Sequence, residues 1–90
     1  MSQGAAMLKE AFRTVEERGK VYGPAKENME RTAKLWSVVM KREVTAMEVA
    51  LCLVQLKVAR LVESPDHADS VLDIAGYAAI YRDCIEEKSE

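Results

Sequence analysis

Ninety residues carry 13 lysines and arginines against 15 aspartates and glutamates, a formal net charge of -2, and 49% of them are hydrophobic. That balance gives no long-range attraction to nucleic acid or to an anionic membrane, and no apolar run reaches the roughly 18 residues of a bilayer span. A chain this short forms one domain that buries only about 60 to 65% of its unfolded surface, which favours an oligomer.

Two prolines, four glycines and little alternating β-branched sequence predict helices joined by short turns. The expected fold is all-α, a four-helix bundle-like single domain over residues 1–90. The N-terminus shows no basic flank followed by an apolar leader core. Cys52 and Cys84 lie in apolar helical pattern without metal-ligand spacing and read as buried, reduced thiols, which fits a cytoplasmic protein.

The first helix is predicted at about residues 5–18, with Met7, Leu8, Ala11, Phe12 and Val15 on one face and Gly19 as the residue past its end. The second, at about 24–41, follows Gly23 and takes Pro24 as its first helical residue, because proline's fixed φ and missing N–H suit that position. Met29, Ala33, Trp36 and Met40 recur at intervals of four, three and four on its inner side, while Lys26, Glu27, Glu30 and Lys34 face outward. Trp36 and the methionines read as core.

The third helix, at about 45–62, opens with Thr45 and Glu48, the spacing of a capping box, which gives Glu48 a structural task. From Val49 to Val62 only Gln55, Lys57 and Arg60 interrupt apolar residues, so this helix is expected at the centre of the fold. Ser64 and Pro65 end it, since the residue before proline leaves the α region. Asp66 is expected to cap the fourth helix, at about 66–86, with Asp69 in its first turn. Its body is apolar except for Asp73 and the Tyr77 phenol, Gly76 suggests close approach of another backbone, and the polar tail EEKSE is expected to fray.

Four charges thus stand in two nearly apolar helices. Lys57 and Arg60 share one face, and Asp69, Asp73 and Tyr77 share another. A short connection makes the two helices antiparallel neighbours, so acids and bases can meet. A half-buried charge without a partner costs several kcal/mol, roughly, so each of the four needs an opposite charge from the chain or from a ligand. One reading is a private salt-bridge network that fixes helix register. A second gathers Tyr22, Gly23, Asn28, Arg31, Lys57, Arg60, Asp69, Asp73 and Tyr77 around one cleft for a small-molecule nucleotide, with cations on phosphate and a phenol stacked on the base. A third makes Asp69 and Asp73, with Glu27, Glu30 or Glu48, ligands of Mg²⁺. His67 reads as a turn residue. The sequence shows no glycine-rich phosphate loop, no nucleophile at base spacing and no zinc pattern.

The strings RGKVYGPAKENMERTAKLW, EVALCLVQLKVARL and DSVLDIAGYAAI resemble a family of small proteins encoded by phages and prophages, over about Arg18 to Tyr81. The matching positions are Tyr22, Gly23, Asn28, Arg31, Leu35, Trp36, Lys57, Arg60, Asp69, Asp73, Gly76 and Tyr77. The second half is more distantly similar to the phage nucleotide-modification-associated domain, and both are similar in outline to MazG-like nucleoside triphosphate pyrophosphohydrolases. The resemblance implies nucleotide recognition in a bacterial host cytoplasm. MazG-like enzymes hold Mg²⁺ with an ExxE and an ExxD helix, but here Leu51 stands where the second acid of the third helix would be, and Ser70 stands where the acid before Asp73 would be. The expectation is therefore a homo-oligomeric binder that sequesters a cyclic-nucleotide or ADP-ribose type signal intact, acting in counter-defence, with no cofactor and with neither DNA, RNA nor membrane as partner. The alternatives are a Mg-dependent pyrophosphohydrolase and an interaction module built on the salt-bridge network.

Overall fold

A computed structural model describes residues 1–85, and the expected end of the last helix at Glu86, like the tail EEKSE, lies outside them. The described residues form a single all-α domain of four helices: α1 (Gln3–Tyr22), α2 (Ala25–Met40), α3 (Ala46–Glu63) and α4 (Ala68–Cys84). No helix among them is long and apolar enough to cross a membrane.

α1 begins where the Ser2 hydroxyl accepts from the Ala5 N–H, and it runs straight through Gly19. It ends at Gly23, whose φ of 82° and ψ of -178° only glycine adopts without strain. The expected stop at Gly19 fails because a glycine inside a helix is tolerated when the flanking pattern continues, and Val21 and Tyr22 continue it. Pro24 is the N-cap of α2 rather than its first helical residue: its ψ of 131° is extended, and Ala25 opens the helix.

Lys41 closes α2 in the left-handed region, with a φ of 55°. The turn that follows is tied down by Ser37, whose hydroxyl donates to the Ala33 carbonyl at 2.7 Å and accepts from the Val44 N–H at 2.8 Å. The capping box at α3 is formed: Thr45 Oγ1 accepts from the Glu48 N–H, and the Glu48 carboxylate accepts from the Thr45 N–H. Those bonds and the neighbouring Arg42 guanidinium, at 3.1 Å, hold the Glu48 carboxyl below its ordinary value. α3 ends before Ser64 and Pro65 as expected. Asp66 does not cap α4. His67 is the N-cap, and its ring Nδ1 shares a hydrogen bond of 2.7 Å with the buried Ser70 hydroxyl.

The core joins Met29 and Ala33 of α2, Val44 of the turn before α3, Val49 and Ala50 of α3 and Cys84 of α4, with Trp36, Met47, Leu53, Ile80 and Tyr81 packed against it. Burial raises the Cys84 thiol above its ordinary value. Met1 and Met40 lie outside this core, exposed. α4, not α3, is the central element. It packs against each of the other three, as α2 does less extensively, whereas α1 and α3 do not touch one another. Ala75 and Gly76, both partly buried, keep its surface thin where neighbours approach. α3 instead leaves Leu51, Leu56, Val58 and Val62 exposed, and Cys52, expected inside, is exposed with them. An apolar run marks what water should not touch, but it does not say whether the cover comes from the same chain.

Candidate functional site

A cleft of about 460 Å³ opens between α1, the start of α2 and the middle of α4. That is within the rough 300 to 1,000 Å³ range of small-molecule sites. The extension of α1 beyond Gly19 builds one wall, because Ala11, Thr14, Val15, Arg18 and Tyr22 recur at helical spacing. Gly23 turns the chain so that Asn28 and Met29, in the first turns of α2, form a second wall. α4 contributes Leu72, Asp73, Gly76, Tyr77 and Ile80. The lining is mostly apolar, with one guanidinium, one amide, two phenols and one carboxylate converging on it.

Asp73 is fixed from behind. Its Oδ2 lies 3.1 Å from Lys57 Nζ, and the two side chains are 22% and 12% exposed. α3 therefore reaches the site through the ammonium of Lys57, which is not itself part of the wall. The pair is neutral overall, and Arg18 forms no ion pair among the described residues, so the cleft retains one uncompensated positive charge.

Of the residues singled out in the sequence, Tyr22, Gly23, Asn28, Asp73 and Tyr77 line this cleft, and Lys57 supports it through Asp73. Arg31, Arg60 and Asp69 are exposed and outside its walls. The expected meeting of two cations with two acids reduces to the single Lys57–Asp73 pair, because α3 turns Arg60 to solvent and Asp69 stands at the open first turn of α4. Arg18 was not anticipated. The signal was present in the recurrence of Thr14, Arg18 and Tyr22, but it is visible only once Gly19 is read as helical.

The carboxylates do not gather for a metal: among the described residues no three or more His, Cys, Asp or Glu side chains stand close enough to share an ion. Glu48 is committed to its capping box and to Arg42, and Asp73 to Lys57.

A family described as a domain of unknown function, DUF6378, matches residues 6–85. The chain is similar to the Gene 55 protein of Mycobacterium phage L5, 46% identical over 65 residues that make up 71% of this chain and 42% of that protein. It is also similar to the Gene 55 protein of Mycobacterium phage D29, 36% identical over 86 residues, 94% of this chain and 57% of that protein. The chain thus spans about half the length of these relatives. No solved structure matches it significantly.

Proposed function

This chain belongs to the phage-related DUF6378 family, and from that premise and the α1–α2–α4 cleft we propose that it binds a phosphorylated nucleotide and holds it intact. The observation that carries the reading is the convergence of Arg18, Tyr22, Asn28, Asp73 and Tyr77 on one mostly apolar cleft. Each group suits one part of such a ligand. The two phenol rings offer stacking faces for a base. The Asn28 amide can donate and accept at the base edge. The Asp73 carboxylate, oriented by Lys57, accepts from sugar hydroxyls, and Arg18 takes the phosphate.

Retention rather than cleavage is favoured by where the acids are. A triphosphate-cleaving site needs several carboxylates around Mg²⁺, and here Glu48 and Asp73 are each engaged by a basic side chain. In a phage setting, a protein that retains a cyclic-nucleotide or ADP-ribose type signal withdraws it from the host's receptors. The interaction-module reading is favoured by one observation, the Lys57–Asp73 pair itself, which would fix the register of α3 on α4 without any ligand.

The test is incubation with a panel of nucleoside triphosphates, cyclic dinucleotides and ADP-ribose in the presence of Mg²⁺, followed by chromatography before and after heat denaturation. Ligand recovered intact only after heating, and lost from Asn28→Ala and Tyr77→Ala, is the expected result. Monophosphate and pyrophosphate would instead identify the hydrolase, and no retention of any compound would leave the interaction module.

A further inference from the structure

We propose that the outward face of α3 is the contact between two copies of this chain related by a two-fold axis. Leu51, Gln55, Val58 and Val62 follow one another at intervals of four, three and four, the spacing of a helix–helix seam. Leu51 is 50%, Val58 40% and Val62 80% exposed, so the stripe is open to solvent. Cys52, also exposed, flanks it. Gln55 is the single polar residue in the stripe. Near a two-fold axis its amide donates to and accepts from its own copy, and one polar residue of this kind fixes register in helix pairs.

The surface area is large enough to supply a contact with a second copy. The chain exposes 6950 Å², whereas a compact monomer of 10.1 kDa exposes about 5,300 Å². Its radius of gyration is 14.3 Å, against about 12 Å for a compact chain of this length. Half of the surplus area equals the roughly 800 Å² that each partner buries in a stable interface. A self-complementary apolar stripe on a chain with this surplus fits a second copy, since a two-fold contact uses the same patch twice.

The experiment measures mass by sedimentation together with the rate at which maleimide alkylates Cys52, on the unmodified chain and on Val62→Asp, Gln55→Lys and Leu8→Asp. A mass near twice 10.1 kDa is expected, falling to the single-chain value in Val62→Asp and Gln55→Lys and staying double in Leu8→Asp, which alters an exposed residue of α1. Cys52 should react about tenfold more slowly in concentrated protein than after dilution, by mass action. Circular dichroism establishes that each variant is folded. If neither α3 variant folds, the mass and the Cys52 rates of the unmodified chain decide. A single-chain mass with fast, concentration-independent alkylation overturns the proposal, as does a mass that only Leu8→Asp changes.

Discussion

The Lys57–Asp73 pair joins α3 to the wall of the cleft, so breaking it tests both the packing and the site. At 3.1 Å the two charges attract by about 5 kcal/mol for an effective dielectric constant near 20, before either is desolvated. Exposures of 12% and 22% mean that most of that desolvation is incurred on folding. Removing one partner leaves the other half-buried and alone, which costs about 2 to 3 kcal/mol here, toward the low end for buried pairs because some solvent reaches both groups. Lys57→Met keeps most of the alkyl stem and removes the ammonium. Asp73→Asn keeps the shape and removes the charge. Each single variant should lose about 2 to 3 kcal/mol, and the double variant little more than either, a coupling of roughly 2 kcal/mol. In a domain of this size that loss lowers Tm by on the order of 10 °C. Urea unfolding followed by Trp36 fluorescence, at one fixed protein concentration, measures all four corners of the cycle. Additive losses, or single losses below about 0.5 kcal/mol, would refute the claim that the pair is sequestered and mutually dependent.

Four further outcomes follow from local geometry. Gly23→Ala should destabilise by about 1 to 3 kcal/mol by urea unfolding, because the penalty lies in a φ of 82° and not in crowding: nothing stands within 4 Å of an added Cβ. Gly76→Ala should act oppositely on stability and binding. An added Cβ meets Val15 Cγ2 at an ordinary 3.8 Å, so helix propensity raises stability by about 0.5 to 1 kcal/mol, while the methyl narrows the cleft and weakens any ligand. Thr45→Ala should cost about 1 kcal/mol in chemical unfolding through loss of the helix cap. The Glu48 carboxyl is held below 4.5 by the Thr45 N–H and by Arg42, so its contribution is complete above pH 4.5 and is lost as the pH falls through the lower folded value. Acid unfolding curves of Glu48→Gln should lack that component.

Helix number, the all-α class and the capping box at Thr45 were legible because each rests on local chemistry: apolar recurrence, a hydroxyl three residues before a carboxylate, a proline after serine. The first boundary falls at Gly23 and not at Gly19 because two glycines four residues apart compete for the same role, and only the backbone angle at Gly23 decides between them. Five lining residues of the cleft were recognisable as chemistry-bearing types, yet which charges converge depends on the rotation of α3 about its axis. Lys57 and Arg60 lie on adjacent parts of that helix, but one faces α4 and the other solvent. No periodicity in α3 alone could fix that rotation, because nearly every side of it is apolar. The same uniformity made α3 look central when α4 is.

α4 carries the most extensive packing of the four helices, and it is also the last of them to leave the ribosome. Until it emerges, α1 has only α2 to rest on and α3 has only α2, so no nascent stretch ahead of α4 closes on itself. At about 5 to 20 residues per second, several seconds separate the synthesis of Arg18 from that of Tyr77, the two sides of one cleft. During that interval the side of α3 that α4 covers is bare, and a chain interrupted before α4 should be a chaperone client rather than a smaller version of the same protein.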